Sequence, residues 1–205
     1  MKTKNLTLLL ALVLAYSVII QAEAQQATVQ VIPASYTVPN VGSTFNVNVT
    51  VQNVNDLFAC VFTLYYPNNI LNGTSATQGP FLKAGGIQAV FFVSNFTDHY
   101  NATHGILNII YTRVGNVSGV NGSGTLATVT FRSTSTNGPK ILHLADVYLS
   151  DSARDHPAAI SFTAVDGEVT VIPEFPTALV LPLLIISATV AITLENRTRN
   201  HRGKP

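Results

Sequence analysis

The sequence predicts an all-β fold: a β-sandwich or jelly roll of about nine strands, followed by a carboxy-terminal transmembrane helix. Three observations lead to this prediction. Apolar and polar residues alternate along short segments, turn-forming residues separate those segments, and no stretch before residue 177 shows a helical period. Many short strands at such spacing are typical of sandwiches and jelly rolls.

The clearest strand is segment 44–51, which reads TFNVNVTV. A period of two places Phe45, Val47 and Val49 on one face and Asn46 and Asn48 on the other, as in a strand with one buried and one wet side. The other strand-like segments are rich in Val, Ile, Thr, Phe and Tyr. They are 27–32, 57–66, 88–93, 105–113, 124–132, 140–149, 158–165 and 168–172. The predicted turns are Asn72-Gly73, Gly85-Gly86, Asn121-Gly122, Asn137-Gly138-Pro139 and Asp166-Gly167.

Charge is scarce, and six of the eleven basic residues lie at the two ends of the chain. Charged residues make up 10% of the 205 residues, whereas about 25% is usual in soluble domains. Residues 25–172 hold five basic and seven acidic side chains, a net charge of −2. No basic stripe is present, which argues against nucleic-acid binding. The single cysteine, Cys60, is interpreted as a buried small residue.

The amino terminus has the pattern of a secretory signal peptide over residues 1–24. Lys2 and Lys4 precede an apolar run over 6–20, and Ala22 and Ala24 supply the small residues that a signal peptidase requires. We expect cleavage after Ala24. The alternative is an uncleaved anchor, although the run is short for a spanning helix.

The carboxy terminus predicts a transmembrane helix over residues 177–194, which contain no charged residue. Eighteen helical residues extend about 27 Å, close to the thickness of the hydrocarbon core. Residues 195–205 form a basic tail, so the positive-inside rule places the tail in the cytoplasm and residues 25–172 outside. The alternative is a buried core helix.

A proline-rich stalk, residues 173–176, stands between the sandwich and this segment. The order of Pro173-Glu174-Phe175-Pro176, apolar segment and basic tail resembles the carboxy-terminal sorting signals of archaeal surface proteins. That resemblance implies an archaeal source and processing by a membrane transpeptidase. It leaves open whether the membrane segment is kept.

Glycosylation acceptors agree with an outward location. Six Asn-x-Ser/Thr triplets lie in residues 25–172, where chance composition predicts about 2.6. They begin at Asn48, Asn72, Asn95, Asn101, Asn116 and Asn121.

The order of features over residues 28–172 resembles a cohesin domain, a jelly-roll sandwich that binds dockerin modules. The matching blocks are Val41-Gly42, Asn53-Val54-Asn55-Asp56-Leu57, Phe62-x-Leu64-x-Tyr66, Ile70-Leu71, Gly79-x-Phe81-Leu82, Gly105-Ile106-Leu107, Gly124-x-Leu126-Ala127-x-Val129-x-Phe131 and Asp166-Gly167-x-Val169-x-Val171. The chain has Tyr66-Pro67-Asn68 where the family usually has Tyr-Asp-Pro.

The resemblance implies that the strand over 57–66 lies on the face that binds the partner. Phe58, Cys60, Phe62 and Leu64 have the spacing to fill the core. The opposite phase is free of charge and predicts a contact patch. The patch consists of Ala59, Val61, Thr63 and Tyr65.

The sequence predicts a binding module that is not an enzyme and needs no metal or cofactor. Asp146, Asp151 and Asp155 could hold calcium, but they lack the glycine and the closing glutamate of the helical calcium loop, so a solvated acidic loop is favoured. Acid catalysis needs two carboxylates that face each other across a cleft, and no spacing here implies such a pair. The predicted partner is a dockerin-like protein or a polysaccharide. Two alternatives stay open: a structural envelope protein and a carbohydrate-binding module. The aromatic platform of such a module would come from Tyr65, Tyr100, Tyr111 and Tyr148.

Overall fold

The computed structural model describes residues 26–173 and 177–202. The first range forms a sandwich of two β-sheets, which confirms the predicted all-β class. It contains eleven strands rather than about nine. They are β1 (Ala27–Ile32), β2 (Ser35–Val38), β3 (Thr44–Leu57), β4 (Ala59–Pro67), β5 (Leu71–Gln78), β6 (Ala89–Val93), β7 (His104–Arg113), β8 (Val120–Ser133), β9 (Asn137–Ser150), β10 (Phe162–Val165) and β11 (Gly167–Val171). A 3-10 helix spans Phe81–Gly86.

The first two and the last two strands of the sandwich are divided between the two sheets. The five-stranded sheet has the order β10-β1-β3-β8-β5, and the six-stranded sheet has the order β2-β11-β9-β4-β7-β6. β1 pairs in parallel with β10, and β2 pairs in parallel with β11. The chain therefore passes from one sheet to the other at both ends of the sandwich, as expected for a jelly roll.

The core lies between the sheets and is made of the inward phase of each strand. Val47 and Val49 of β3 and Phe62 and Leu64 of β4 are almost fully buried, as the alternating pattern predicts. Cys60 is buried among them, and this burial raises the pKa of its thiol to about 12. Because only a thiolate is reactive, Cys60 behaves as a small core residue.

Several predicted turns lie inside strands instead. Asn72-Gly73 belongs to β5, Asn121-Gly122 to β8 and Asn137-Gly138-Pro139 to the start of β9. The need for glycine at position 73 is steric rather than conformational, because a Cβ atom there would lie 1.8 Å from a ring carbon of Phe96. Gly85 and Gly86 do have the positive φ angles of a turn.

Two strands were not predicted, for a shared reason. β2 has four residues and β5 is rich in Thr, Ser and Asn, and both lie at sheet edges. Each buries only one side chain fully, Val38 in β2 and Leu71 in β5, so its sequence carries a weak alternating signal.

The carboxy-terminal segment forms helix α1 (Thr177–Arg202), whose side chains are described for residues 182–194. The sequence predicted a membrane span over 177–194. Within the part of the chain that the structure describes, no helix long and apolar enough to cross a membrane is found. The signal peptide with Ala22 and Ala24, the sorting residues Glu174, Phe175 and Pro176, and residues 203–205 lie outside the described residues.

Candidate functional site

The outward face of the six-stranded sheet is the candidate site, and β4 lies near its centre between β9 and β7. The structure places Ala59, Val61, Thr63 and Tyr65 together on this face, opposite in phase to the buried core residues of β4. Ala59, Val61 and Tyr65 are half-buried, and Thr63 is buried. We call the outward side of β9, β4, β7 and β6 the docking face.

Apolar side chains cross the docking face in one continuous row. In register, Phe92 of β6 lies beside Ile110 of β7, Ile110 lies beside Val61 of β4, and Val61 lies beside Tyr148 of β9. Phe92, Ile110 and Tyr148 are 61%, 43% and 47% exposed. We call Phe92, Ile110, Val61 and Tyr148 the apolar row.

A bulge in β9 brings Tyr148 into this row. The pairing of β4 with β9 shifts register between Val61 and Thr63, and Asp146 at the shift has a φ of 48°. One extra residue in a strand reverses the phase of everything after it. Ala145 before the bulge and Tyr148 after it therefore lie on the same face, although their spacing alone would place them on opposite faces.

Few polar side chains lie at the centre of the docking face, and two of them, Thr63 and Asn108, are hydrogen-bonded to each other. The Thr63 hydroxyl donates a hydrogen bond to Asn108 Oδ1 at 2.9 Å. Neither residue is charged. When a complementary surface covers an uncharged face of this kind and excludes water from it, the free energy is lowered and the complex is stabilised.

One end of the face carries an aromatic cluster. The Tyr65 ring lies 5.9 Å from Tyr100, 6.5 Å from His104 and 6.3 Å from His143. His143 Nδ1 is 2.8 Å from a carboxylate oxygen of Asp166. Burial, followed by Tyr100 and the Asp146 carboxylate, raises the pKa of Tyr65, so its hydroxyl stays protonated and able to donate at neutral pH.

The other end of the face opens into a groove of about 490 Å³. The groove lies between the ends of β4 and β7 and the loop after β9. Its lining includes Phe58, Ala59, Thr112, Arg154 and Pro157.

Asp56 holds the loops near this groove in place. Its Oδ1 accepts hydrogen bonds from the Gly119 amide at 2.7 Å and from the Ser152 hydroxyl at 2.9 Å. Its own amide donates to Asn121 Oδ1 at 2.7 Å. Burial acts to raise the pKa of Asp56, but the hydrogen bonds from Ser152 and Gly119 outweigh it and the pKa is lowered. The ionised carboxylate thus ties the end of β3 to the loops before β8 and after β9.

One member of the predicted sugar platform is placed elsewhere. Tyr111 is fully buried and donates a hydrogen bond to the carbonyl of Gly79 at 2.7 Å. It lies in the inward phase of β7, between the sheets, so the prediction was wrong for this residue. Tyr65 and Tyr100 are inclined by 56°, so they do not form a flat platform.

The six acceptor asparagines lie in different parts of the sandwich, and two of them are near the docking face. Asn95 follows β6, and Asn101 Oδ1 accepts a hydrogen bond from the amide of His104 in the aromatic cluster at 2.8 Å. Asn72, Asn95, Asn101, Asn116 and Asn121 are exposed. Asn48 is half-buried on the outward side of the five-stranded sheet, where its Oδ1 accepts from the Thr128 hydroxyl at 2.7 Å. Their use as glycosylation sites stays a prediction.

Two of the three acids considered for calcium, Asp151 and Asp146, have separate local roles. Asp151 Oδ1 accepts hydrogen bonds from the amides of Ala153 and Ala158, and Asp146 occupies the bulge in β9. Among the described residues, no three His, Cys, Asp or Glu side chains come together as a metal site would require.

Sequence reasoning missed two of the four members of the apolar row, Phe92 and Ile110, and named Tyr148 only as part of the alternative sugar platform. The alternation of β7 identifies Ile110 as outward, since Ile109 and Tyr111 are inward. That signal was available, but the order of strands that joins these residues into one row was not.

Comparison with known proteins gives a consistent result. The family model described as the cohesin domain matches residues 29–171. A non-cellulosomal cohesin from the archaeon Archaeoglobus fulgidus is 19% identical, with a TM-score of 0.55 over 72% of this chain and 91% of that one. The seventh type I cohesin of ScaB from Pseudobacteroides cellulosolvens is 19% identical, with a TM-score of 0.57 over 74% and 95%. No curated protein matches the chain.

The sixth cohesin of scaffoldin B from Acetivibrio cellulolyticus, solved in complex with a dockerin, is 15% identical. Its TM-score is 0.58 over 72% of this chain and 99% of that one. The matched region makes up nearly the whole of these solved chains. In this chain, residues 26–173 hold both sheets and the single hydrophobic core between them, which are the features of an independently folding domain.

Proposed function

The chain belongs to the cohesin family, and on that premise we propose that its sandwich is a non-catalytic module that binds a dockerin-like protein on the docking face. Relatives of the same fold have been solved with dockerins bound, including the Acetivibrio cellulolyticus cohesin and a Clostridium thermocellum cohesin. The observation that carries the proposal is the apolar row, which presents exposed Phe92, Ile110 and Tyr148 on one flat side.

The chemistry of the row predicts how the partner is recognised. Burying a large apolar side chain contributes about 1.5–3 kcal/mol, before the entropy of association is subtracted. With no charge in the row, we expect the partner to present aliphatic and aromatic side chains. Thr63, Asn108 and the Tyr65 hydroxyl supply hydrogen bonds that fix its orientation.

Binding of residues 26–173 to a panel of recombinant dockerin modules, measured by calorimetry, tests this proposal. Val61→Asp and Ile110→Asp place an unpaired charge in the row, and each should weaken binding by at least about 100-fold. The matched control is Thr50→Asp, at a half-buried outward position of the central strand of the other sheet. Circular dichroism checks that each variant folds.

Two results would count against the proposal. Undiminished binding of a dockerin by both row variants would remove the docking face from the site. Failure to bind any dockerin, with retention on an insoluble polysaccharide, would favour a carbohydrate-binding module.

We also propose that the module is displayed on the outer surface of the cell. Supporting this are the signal pattern of residues 1–24, the uncharged segment 177–194 and the basic tail. In α1 the apolar residues 183–186, 190 and 192 are all exposed, and an exposed apolar surface of this kind marks a site of contact with a membrane or another protein. Full-length protein should sediment with membranes and start at Gln25, whereas a chain ending at residue 173 should not sediment.

We propose separately, from the sorting motif, that the chain is cut near Pro173-Glu174-Phe175-Pro176 when it is attached to the cell surface. The intact mass of the protein recovered from cells distinguishes the cut chain from the uncut chain. A mass that includes residues 177–205 shows that the segment is kept and contradicts processing.

A further inference from the structure

The two sheets have four edge strands, and three of them carry features that discourage pairing with another chain. β2 is four residues long and lies between Pro33 and Pro39. β10 is also four residues long, and β5 is interrupted by a register shift between Gly73 and Ser75. Short strands, prolines and bulges are the usual means of protecting an edge.

The fourth edge, β6, is five residues long and has neither a flanking proline nor a bulge. It reads AVFFV, without proline, glycine or charge, and pairs with β7 in unbroken register from Ala89 to Val93. Its outward side chains Val90 and Phe92 are 54% and 61% exposed. A regular apolar edge strand of this kind is a template for another strand.

The hydrogen-bonding phase of β6 leaves one set of backbone groups free. The Ser94 amide donates to the Asn108 carbonyl, and the Val114 amide donates to the Gln88 carbonyl. Even-numbered residues of β6 therefore direct their amides and carbonyls towards β7, as alternate residues of an antiparallel pair do. Ala89, Phe91 and Val93 direct theirs away from β7. Within the described residues, no other strand pairs with this side and no loop backbone bonds to it.

The strand is held rigidly in this orientation from inside. Phe91 packs edge-on against Tyr111 with ring centroids 5.3 Å apart, and Ala89 and Val93 pack against the core. The free groups are thus preorganised, which lowers the entropic cost of pairing with an incoming strand.

We propose that β6 pairs antiparallel with β6 of a second copy of this chain, about a two-fold axis at Phe91. In this register Phe91 lies opposite Phe91, and Ala89 lies opposite Val93 in both directions. Each of these pairs exchanges two backbone hydrogen bonds. On the outward side, Val90 of one copy lies opposite Phe92 of the other.

The chemistry of the edge favours a copy of itself as the occupant. A two-fold interface brings each group close to its own counterpart, so any charge in β6 would meet a like charge. β6 has no charge, and Arg113 at the end of β7 is turned inward, where its guanidinium donates to the Leu82 carbonyl at 2.8 Å. The two-fold axis is perpendicular to the sheet, so the docking faces of both copies lie on the same side and can bind two partner modules.

Sedimentation of residues 26–173 over a concentration series tests the pairing. The protein is made without glycans because the acceptor Asn95 follows β6 closely. We expect a monomer–dimer equilibrium that Val90→Asp shifts at least about tenfold towards monomer. Ala89→Pro, which removes only an amide directed away from β7, should act in the same way. The control Ile141→Asp changes an exposed outward residue of β9 and should leave the dimer unchanged.

Cysteine pairing tests the register. A mixture of Val90→Cys and Phe92→Cys proteins should form a disulfide-linked dimer in higher yield than either protein alone, because 90 and 92 are the facing positions. Cys60 is buried and does not interfere. A protein that stays monomeric at every concentration, or a dimer that neither Val90→Asp nor Ala89→Pro weakens, overturns the proposal. Equal yields in the mixed and separate reactions overturn the register. None of these outcomes depends on whether a dockerin binds.

Discussion

The outward faces of the two sheets differ in chemistry although both belong to one sandwich. The five-stranded sheet presents Asn46, Asn48 and Thr50 from β3, and the first two pair across the sheet with Thr130 and Thr128 through hydrogen bonds of 2.8 and 2.7 Å. The six-stranded sheet presents the apolar row instead. Burying a hydrogen-bonded polar face against a partner changes the free energy little, whereas burying an apolar face lowers it. The difference indicates which side of the molecule is suited to binding.

We expect the largest effect on stability from Asp56, which holds the loops that connect the two sheets. Asp56→Ala removes the acceptor for the Gly119 amide and for Ser152, so it should lower the free energy of unfolding by about 2–3 kcal/mol. Urea denaturation measures the change. Asp56→Asn keeps one acceptor oxygen and tolerates the φ of 57°, so it should cost less. Equal losses in the two variants would contradict this role for the carboxylate.

A polar side chain placed in the apolar row should weaken dockerin binding without a large loss of stability, whereas an apolar side chain placed on the five-stranded sheet should not affect binding. Val61→Thr keeps the shape of the side chain and adds a hydroxyl, so dockerin affinity should fall about tenfold, or about 1.4 kcal/mol. The reciprocal change, Thr50→Val on the five-stranded sheet, should leave affinity within twofold. Calorimetry gives both values. A comparable loss from Thr50→Val would mean that the polar face also binds.

The pH dependence of stability sharpens the comparison, because Asp56 supports both faces. Its pKa is lower in the folded than in the unfolded chain, so its contribution is complete above the unfolded pKa of about 3.9 and is lost as pH falls through the folded value. Urea denaturation between about pH 6 and 2.5 should show this loss. Asp56→Asn should flatten the acidic part of the profile. An identical profile in the variant would assign the loss to other carboxyl groups.

Salt should have the smallest effect, and it separates apolar from charged recognition. Because the apolar row has no charge, raising NaCl from about 0.05 to 1 M should change dockerin affinity less than about threefold. A drop of 100-fold would show that charged groups such as Asp166 and Arg154 at the ends of the face dominate binding. The same measurement of dockerin affinity at low and high NaCl with Tyr148→Ala, which removes one aromatic ring from the apolar row, also tests whether recognition is apolar or charged.

Most of the site could be predicted one strand at a time. The two phases of β4 separate Phe62 and Leu64 from Val61 and Tyr65, and the structure follows that separation. The turn predictions were less successful, since Asn72-Gly73 and Asn121-Gly122 lie within strands. Asn-Gly marks a tight turn only when the strands on both sides end there, and the lengths of β5 and β8 are set by pairing with distant neighbours.

The amino-acid sequence by itself determined the fold class, the family and the inward or outward phase of each regular strand. Alternation of apolar and polar residues is a local property that burial of one face imposes on every strand. Only the tertiary structure decided that Phe92, Ile110, Val61 and Tyr148 form one row, that a bulge at Asp146 brings Tyr148 into it, and that β6 is an open edge. These features depend on which strands become neighbours, and that choice follows from the long-range packing of two sheets around one core.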